Sequence, residues 1–154
     1  EFRRVLFRSL KGVLGRLSDQ YPFVVLDNEA GLENLSRRLV SEIDLLVLVS
    51  DPSHQGMKTV HRIYQLAGEM GLTYKQCAIV VNRMRGAVLP TGVPYLQHVV
   101  PACTLCGLPH DDALAEYAEG GRCLRALPDE NPVVSGVDAL LERLGMAARE
   151  EMKA

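Results

Sequence analysis

Three apolar runs that each end in a polar residue constrain the fold of this chain most: FVVLD at 23–27, LLVLVS at 45–50 and CAIVVN at 77–82. They do not alternate with polar residues, which suits strands buried on both faces rather than strands with one wet face. Between them the spacing turns helical. Leu10, Val13, Leu14 and Leu17 recur at helical intervals until Pro22, so a helix is expected over 10–20. A second is expected over 32–42. A third, over 57–70, sets Met57, Val60, Ile63, Tyr64, Ala67 and Met70 on one face and can close at Gly71. Strand and helix in alternation are how a parallel sheet with right-handed crossovers is written, so the fold class is α/β, doubly wound, with a mainly parallel sheet and helices on both faces.

The rest of the chain extends this pattern. Residues 84–98 read as a loop rich in Gly and Pro, and HVVPACTLCGLP as one further strand, whole or interrupted at Pro101. A helix over 111–118, the irregular stretch GGRCLRALPDENP and a helix over 133–150 carrying Val137, Leu140, Leu141 and Leu144 complete the reading.

With 154 residues and 47% hydrophobic content the chain can bury one sizeable core. A formal net charge of -2 gives no basic footprint for nucleic acid or an anionic membrane. No apolar run approaches the roughly 18–20 residues of a membrane span, and no secretory signal is evident. A cytoplasmic protein with a small-molecule or protein partner is expected. The first nine residues, EFRRVLFRS, match a translated sequencing adapter and are set aside before fold reasoning. Residues 10–154 then read as the carboxy-terminal part of one domain.

In an open parallel sheet ligands bind at the carboxyl ends of the strands. Those ends carry Asp27, Ser50 with Asp51, Asn82 with Arg83, and the turn Leu108-Pro109-His110-Asp111. A carboxylate after four apolar residues is the Walker B arrangement, held rigidly to accept from water or Mg²⁺ beside nucleotide phosphates. Its plain alternative is a helix or turn cap. Gly31 sharpens the nucleotide reading, because glycine lets a backbone N–H approach a phosphate at a helix start. Asn82 can donate and accept at once, as reading a base edge requires, although a turn-forming Asn would look the same.

The stretch DNEAGLENLSRR resembles the Walker B and switch II segment of the MinD/ParA-type P-loop ATPases, and more narrowly of the carbon monoxide dehydrogenase maturation ATPases, CooC. SDPSHQGMKTVHRIYQL, IVVNRMRG and LPHDDALAEYAEGGRCLRALPDENPVV resemble the family's later segments in the same order. The resemblance implies a P-loop ATPase fold that binds ATP and Mg²⁺, with Asp27 associated with Mg²⁺ and Gly31 sensing the γ-phosphate. It implies Asn82 as the adenine reader, Pro109 as a wall of the base pocket and Arg83 as a further nucleotide contact. It also implies a homodimer that serves a client metalloenzyme such as carbon monoxide dehydrogenase by inserting nickel. Cys123, Asn131 and Leu108 depart from the family's proline, serine and isoleucine. The phosphate loop, switch I and a Cys-x-Cys metal motif lie upstream in this family and are not among these residues, so the chain by itself is expected not to hydrolyse ATP.

Cys77, Cys103, Cys106 and Cys123 read as reduced thiols. CTLC at 103–106 has a spacing that lets both thiolates reach one Zn²⁺ or Ni²⁺, with His98, His110 or Cys123 completing a site. Redox exchange and plain burial as apolar thiols are the other readings. Two rival functions remain: a receiver-type phosphoacceptor domain with Asp27 as the acceptor, and a non-enzymatic interaction module in which Asp27 caps a helix. The first needs a lysine before a proline at the end of the last strand, and HVVPACTLCGLP has none.

Overall fold

The computed structural model describes residues 12, 13, 15–17, 19–27, 42–86, 96, 98, 100 and 102–146. The chain divides into two compact units, residues 1–44 with 63–75 and residues 45–62 with 76–154. In chain order the elements are β1 (Glu42–Ser50), α1 (His54–Glu69), β2 (Thr73–Met84), β3 (Cys103–Pro109), α2 (Asp112–Glu119), a 3₁₀ turn (Leu124–Ala126) and α3 (Pro132–Arg143). The strands form one sheet in the order β1-β2-β3, and β2 and β3 run parallel. The α/β class holds.

In the second unit, the face of the sheet that carries Ala78, Val80, Cys106 and Leu108 packs on Leu140 and Leu144, with Leu45, Val133 and Met146 at its margin. The approach is close because α3 presents Gly136 there: a Cβ at that position would lie 2.7 Å from Leu108 Cδ2. Arg143 fixes the far end of α3 by donating to the Leu105 carbonyl at 3.0 Å. Cys77, Ile79 and Val81 point to the opposite face of β2 and are buried too. β2 is therefore the strand buried on both faces that its sequence announces.

In the first unit α1 ends as the sequence predicts. Gly71 takes φ +71°, its N–H reaches the Gly68 carbonyl at 2.9 Å, and Leu72 N–H reaches Ala67 at 3.0 Å. This is a Schellman stop with the buried apolar residue Leu72 just beyond it. Lys75 pairs with Asp44 at 2.6 Å, but both side chains are exposed and the pair adds little. Burial, reinforced by a hydrogen bond that the Tyr74 hydroxyl donates to Tyr64, pushes Tyr74 up to about 12.

Two strand expectations need correction. Residues 23–27 have no regular secondary structure and are exposed, Val25 by 89%. An unbroken apolar run reports a capacity for burial, but it becomes a strand only where a neighbour supplies ladder hydrogen bonds, and 23–27 lie outside the three-stranded sheet. β1 buries Leu46 and Leu48 but exposes Val47 and Val49, so it is covered on one face only. The helix expected over 32–42 lies outside the described residues except at Glu42, which begins β1. The helix expected over 133–150 starts at Pro132 and stops at Arg143.

Candidate nucleotide-binding edge

The carboxyl ends of the strands in the second unit bring several sequence-predicted residues together. β1 runs into Asp51, whose Oδ1 accepts from Ser53 N–H at 2.9 Å, and Ser53 Oγ accepts from Gly56 N–H at 2.9 Å as α1 begins. Gly56 sits where a Cβ would strike the Ser50 hydroxyl and approach the Asp51 carbonyl to 3.0 Å. Hydrogen bonds from Ser53 hold the Asp51 carboxyl below its ordinary value, with a smaller contribution from the Arg83 guanidinium. This turn is tight, polar and open to solvent.

At the end of β2 the ladder breaks. Val81 pairs with Gly107 and Met84 with Pro109, so three positions on β2 face two on β3 from one pair to the next. This is a bulge, and it carries Arg83 at φ 59°, a left-handed backbone rare for a residue with a Cβ. Such a conformation costs on the order of 1 kcal/mol and is a mark of functional edges. Asn82 Oδ1 accepts from Arg83 N–H at 2.9 Å and thereby supports the bulge. Beyond β3, His110 N–H donates to the Met84 carbonyl at 2.8 Å, which ties the Pro109 turn to the bulge. Asn82, Arg83 and Pro109 therefore share one edge.

Asp111, a strand-end candidate with the Pro109 turn, and Asn131, to which the sequence assigns no nucleotide role, complete that edge. Asp111 caps α2 through Leu114 N–H at 2.7 Å. It also accepts from Asn131 Nδ2 at 2.9 Å. Asn131 caps α3 in turn, accepting from Val133 and Val134 N–H at 2.9 and 3.3 Å. The Asn131 amide, then Leu114 N–H, hold the Asp111 carboxyl below its ordinary value. The signal was present in the sequence, since Asn before Pro132 and Asp before a helix are start signals. What could not be read was that the two caps touch.

The remaining nucleotide-site candidates are Asp27 and Gly31. Asp27 is exposed and belongs to the first unit, and Gly31 lies outside the described residues. An exposed carboxylate such as Asp27 has the oxygen chemistry that Mg²⁺ takes, an ion that keeps several waters and draws other ligands from phosphates. The expectation of reduced thiols holds for Cys106 and Cys123 and is overturned for Cys77 and Cys103. Cys77 and Cys103 are register partners on β2 and β3 with Cα atoms 4.6 Å apart, and they form a disulfide. CTLC is a strand rather than a turn, so Cys103 and Cys106 point to opposite faces and cannot grip one ion. Cys106 is buried, which pushes its thiol up, and no cluster of three metal-ligating side chains occurs among the described residues. The pair fits neither Zn²⁺ nor Ni²⁺.

A parallel sheet with a polar edge at the carboxyl ends of its strands is the general form of a nucleotide-binding α/β domain. The fold is that of the MinD-type P-loop ATPases: the chain superposes on the MinD cell division protein of Aquifex aeolicus with a TM-score of 0.70 at 18% identity, over 93% of this chain and 62% of that one. In sequence it is 33% identical over 136 residues to an uncharacterized ATP-binding protein of Methanocaldococcus jannaschii, covering 88% of this chain and 53% of that protein. It is 29% identical over 125 residues to the carbon monoxide dehydrogenase accessory protein CooC of Rhodospirillum rubrum, covering 79% of this chain and 46% of CooC. The chain thus spans about half the length of these curated relatives. No family model matches it.

Proposed function

We propose that this chain is the carboxy-terminal part of a cytoplasmic MinD-type ATPase of the CooC branch, supplying the Walker B, switch II and adenine-binding parts of an ATP·Mg²⁺ site. The observation that carries the reading is the shared edge: the bulge at Asn82–Arg83, hydrogen-bonded through Met84 to the Pro109–His110 turn. A half-buried amide beside a fixed turn suits recognition of a purine edge, because the amide both donates and accepts. Asp27 would hold Mg²⁺ through water and Gly31 would meet the γ-phosphate. Resemblance to CooC supports a metalloenzyme client, a homodimer and nickel as cargo. Cys103 and Cys106 are not the residues that would carry that metal. None of the described helices is long and apolar enough to cross a membrane.

The test is calorimetric titration of Mg²⁺·ATP into the product of the complete reading frame that contains this sequence. Saturable binding that weakens about tenfold in Asn82→Ala, as loss of one or two hydrogen bonds to a ligand would produce, is the expected result. Absence of ATP binding would sink the reading. Residues 10–154 expressed alone are expected not to hydrolyse ATP.

A further inference from the structure

Among the described residues Asn131 is the single buried polar side chain, and its hydrogen bonds do more than a helix cap requires. A cap needs only an acceptor for the first free N–H groups, which serine or aspartate provides. Here Oδ1 accepts from Val133 and Val134 N–H while Nδ2 donates to Asp111 Oδ1 at 2.9 Å. Only a side chain with both an acceptor and a donor at that reach can serve the start of α3 and the carboxylate that starts α2. Main-chain bonds hold Asn131 itself, its N–H to the Pro128 carbonyl and its carbonyl to Ser135 N–H, each at 2.9 Å. A side chain fixed at both ends in this way transmits position rather than merely filling space.

The chain of bonds continues to the candidate site. Asp111 stands two residues after Pro109, and His110 between them is bonded to Met84 at the end of the bulge. We infer that Asn131 is a positioning residue: it clamps Asp111 and so sets where the Pro109–Asp111 turn stands against the Asn82–Arg83 bulge, and with it the preference of this edge for one purine base. The inference rests on the reading of this edge as a base site. The substitution that separates clamp from cap is Asn131→Ser, which keeps an acceptor for α3 but is too short to span to Asp111. Asn131→Asp provides a second version, keeping size and acceptor while setting a carboxylate against a carboxylate.

Two measurements on the complete protein decide it. Amide hydrogen exchange in Asn131→Ser is expected to quicken by about tenfold over residues 110–114, the equivalent of one hydrogen bond, while residues 133–136 exchange as before. Calorimetry with Mg²⁺·ATP and Mg²⁺·GTP is expected to show a matching loss of discrimination between the two, with Asn131→Asp at least as severe. Unchanged exchange over 110–114 overturns the clamp. Faster exchange with an intact purine preference overturns its positioning role. If the unsubstituted protein binds neither nucleotide, the base-site reading and the positioning role fall together, while the exchange data still uphold or overturn the clamp.

Discussion

FVVLD at 23–27 and CAIVVN at 77–82 are almost the same text, a run of apolar residues closing on a residue suited to a ligand, yet they have opposite fates. Val81 and Ile79 are buried to 0% and 2% exposure, whereas Val25 is 89% exposed. The difference lies in neighbours rather than in composition. Residues 77–82 have β3 beside them in parallel register and α3 across one face. Residues 23–27 are not part of the sheet. An apolar run is thus a claim on partners, and its energy is realised only where the partners stand.

The comparison is most sharply broken by paired truncation. Ile79→Ala should cost about 2–5 kcal/mol, the range for a buried aliphatic side chain. Val25→Ala should change stability by less than about 0.5 kcal/mol. Urea denaturation of residues 10–154, if they stay soluble, measures both; comparable shifts would mean that 23–27 is buried in solution. Repeating Val25→Ala in the product of the complete reading frame sharpens the point, because a large cost there would show that Val25 is buried in that protein. Exposed Val47, Val49 and residues 23–26 also lead us to expect aggregation of 10–154 at high concentration. The Cys77–Cys103 bond closes a loop with a sequence separation of 26. On chain entropy its reduction by dithiothreitol should lower stability by about 3 kcal/mol. Alkylation mass spectrometry before and after reduction checks the bond directly, and free thiols at both positions in the unreduced protein would restore the expectation of four reduced cysteines.

How much of this was legible follows the same division. β1, β2, α1 and α2 were read to within a few residues because period and stop signals are local, Gly71 being the clearest. The edge residues Asn82, Arg83 and Pro109 could be placed because strand ends follow from strand assignments. The bulge could not, since nothing in Asn82-Arg83-Met84 requires an extra residue; it arises from register against β3. The disulfide and the Asp111–Asn131 contact were hidden for a like reason. Cys77 meets Cys103 through strand pairing, and Asn131 meets Asp111 across 20 residues of chain. Whether FVVLD would join the sheet is the least local question of all.

Packing on the buried side gives a smaller expected effect. Gly136→Val would drive a side chain into Leu108 Cδ2, 2.7 Å from the first added carbon. Overpacking of this kind costs about 1–3 kcal/mol. A loss in Cm with m unchanged would locate the cost in the folded state. A neutral result would mean that α3 is free to move away from β3.

The smallest effect concerns the polar edge and its sign can be worked out. Bonds from Asn131, then Leu114 N–H, hold the Asp111 carboxyl below its ordinary 3.8. A carboxyl depressed in the folded state contributes stability that is fully present above its unfolded value and is lost as pH falls through the folded one. The stability gap between the unsubstituted protein and Asp111→Asn should therefore be level from pH 7 to about pH 5 and narrow below about pH 4. Urea midpoints at pH 7, 5, 4 and 3 read it. Asp51 provides the contrast, since its carboxyl is held down mainly by Ser53 two residues away, so Asn131→Ser should flatten the acid response at Asp111 and leave that at Asp51 intact. If the two carboxyls respond alike to that substitution, Asn131 is not what holds Asp111 ionised, and the link between the two helix caps fails with it.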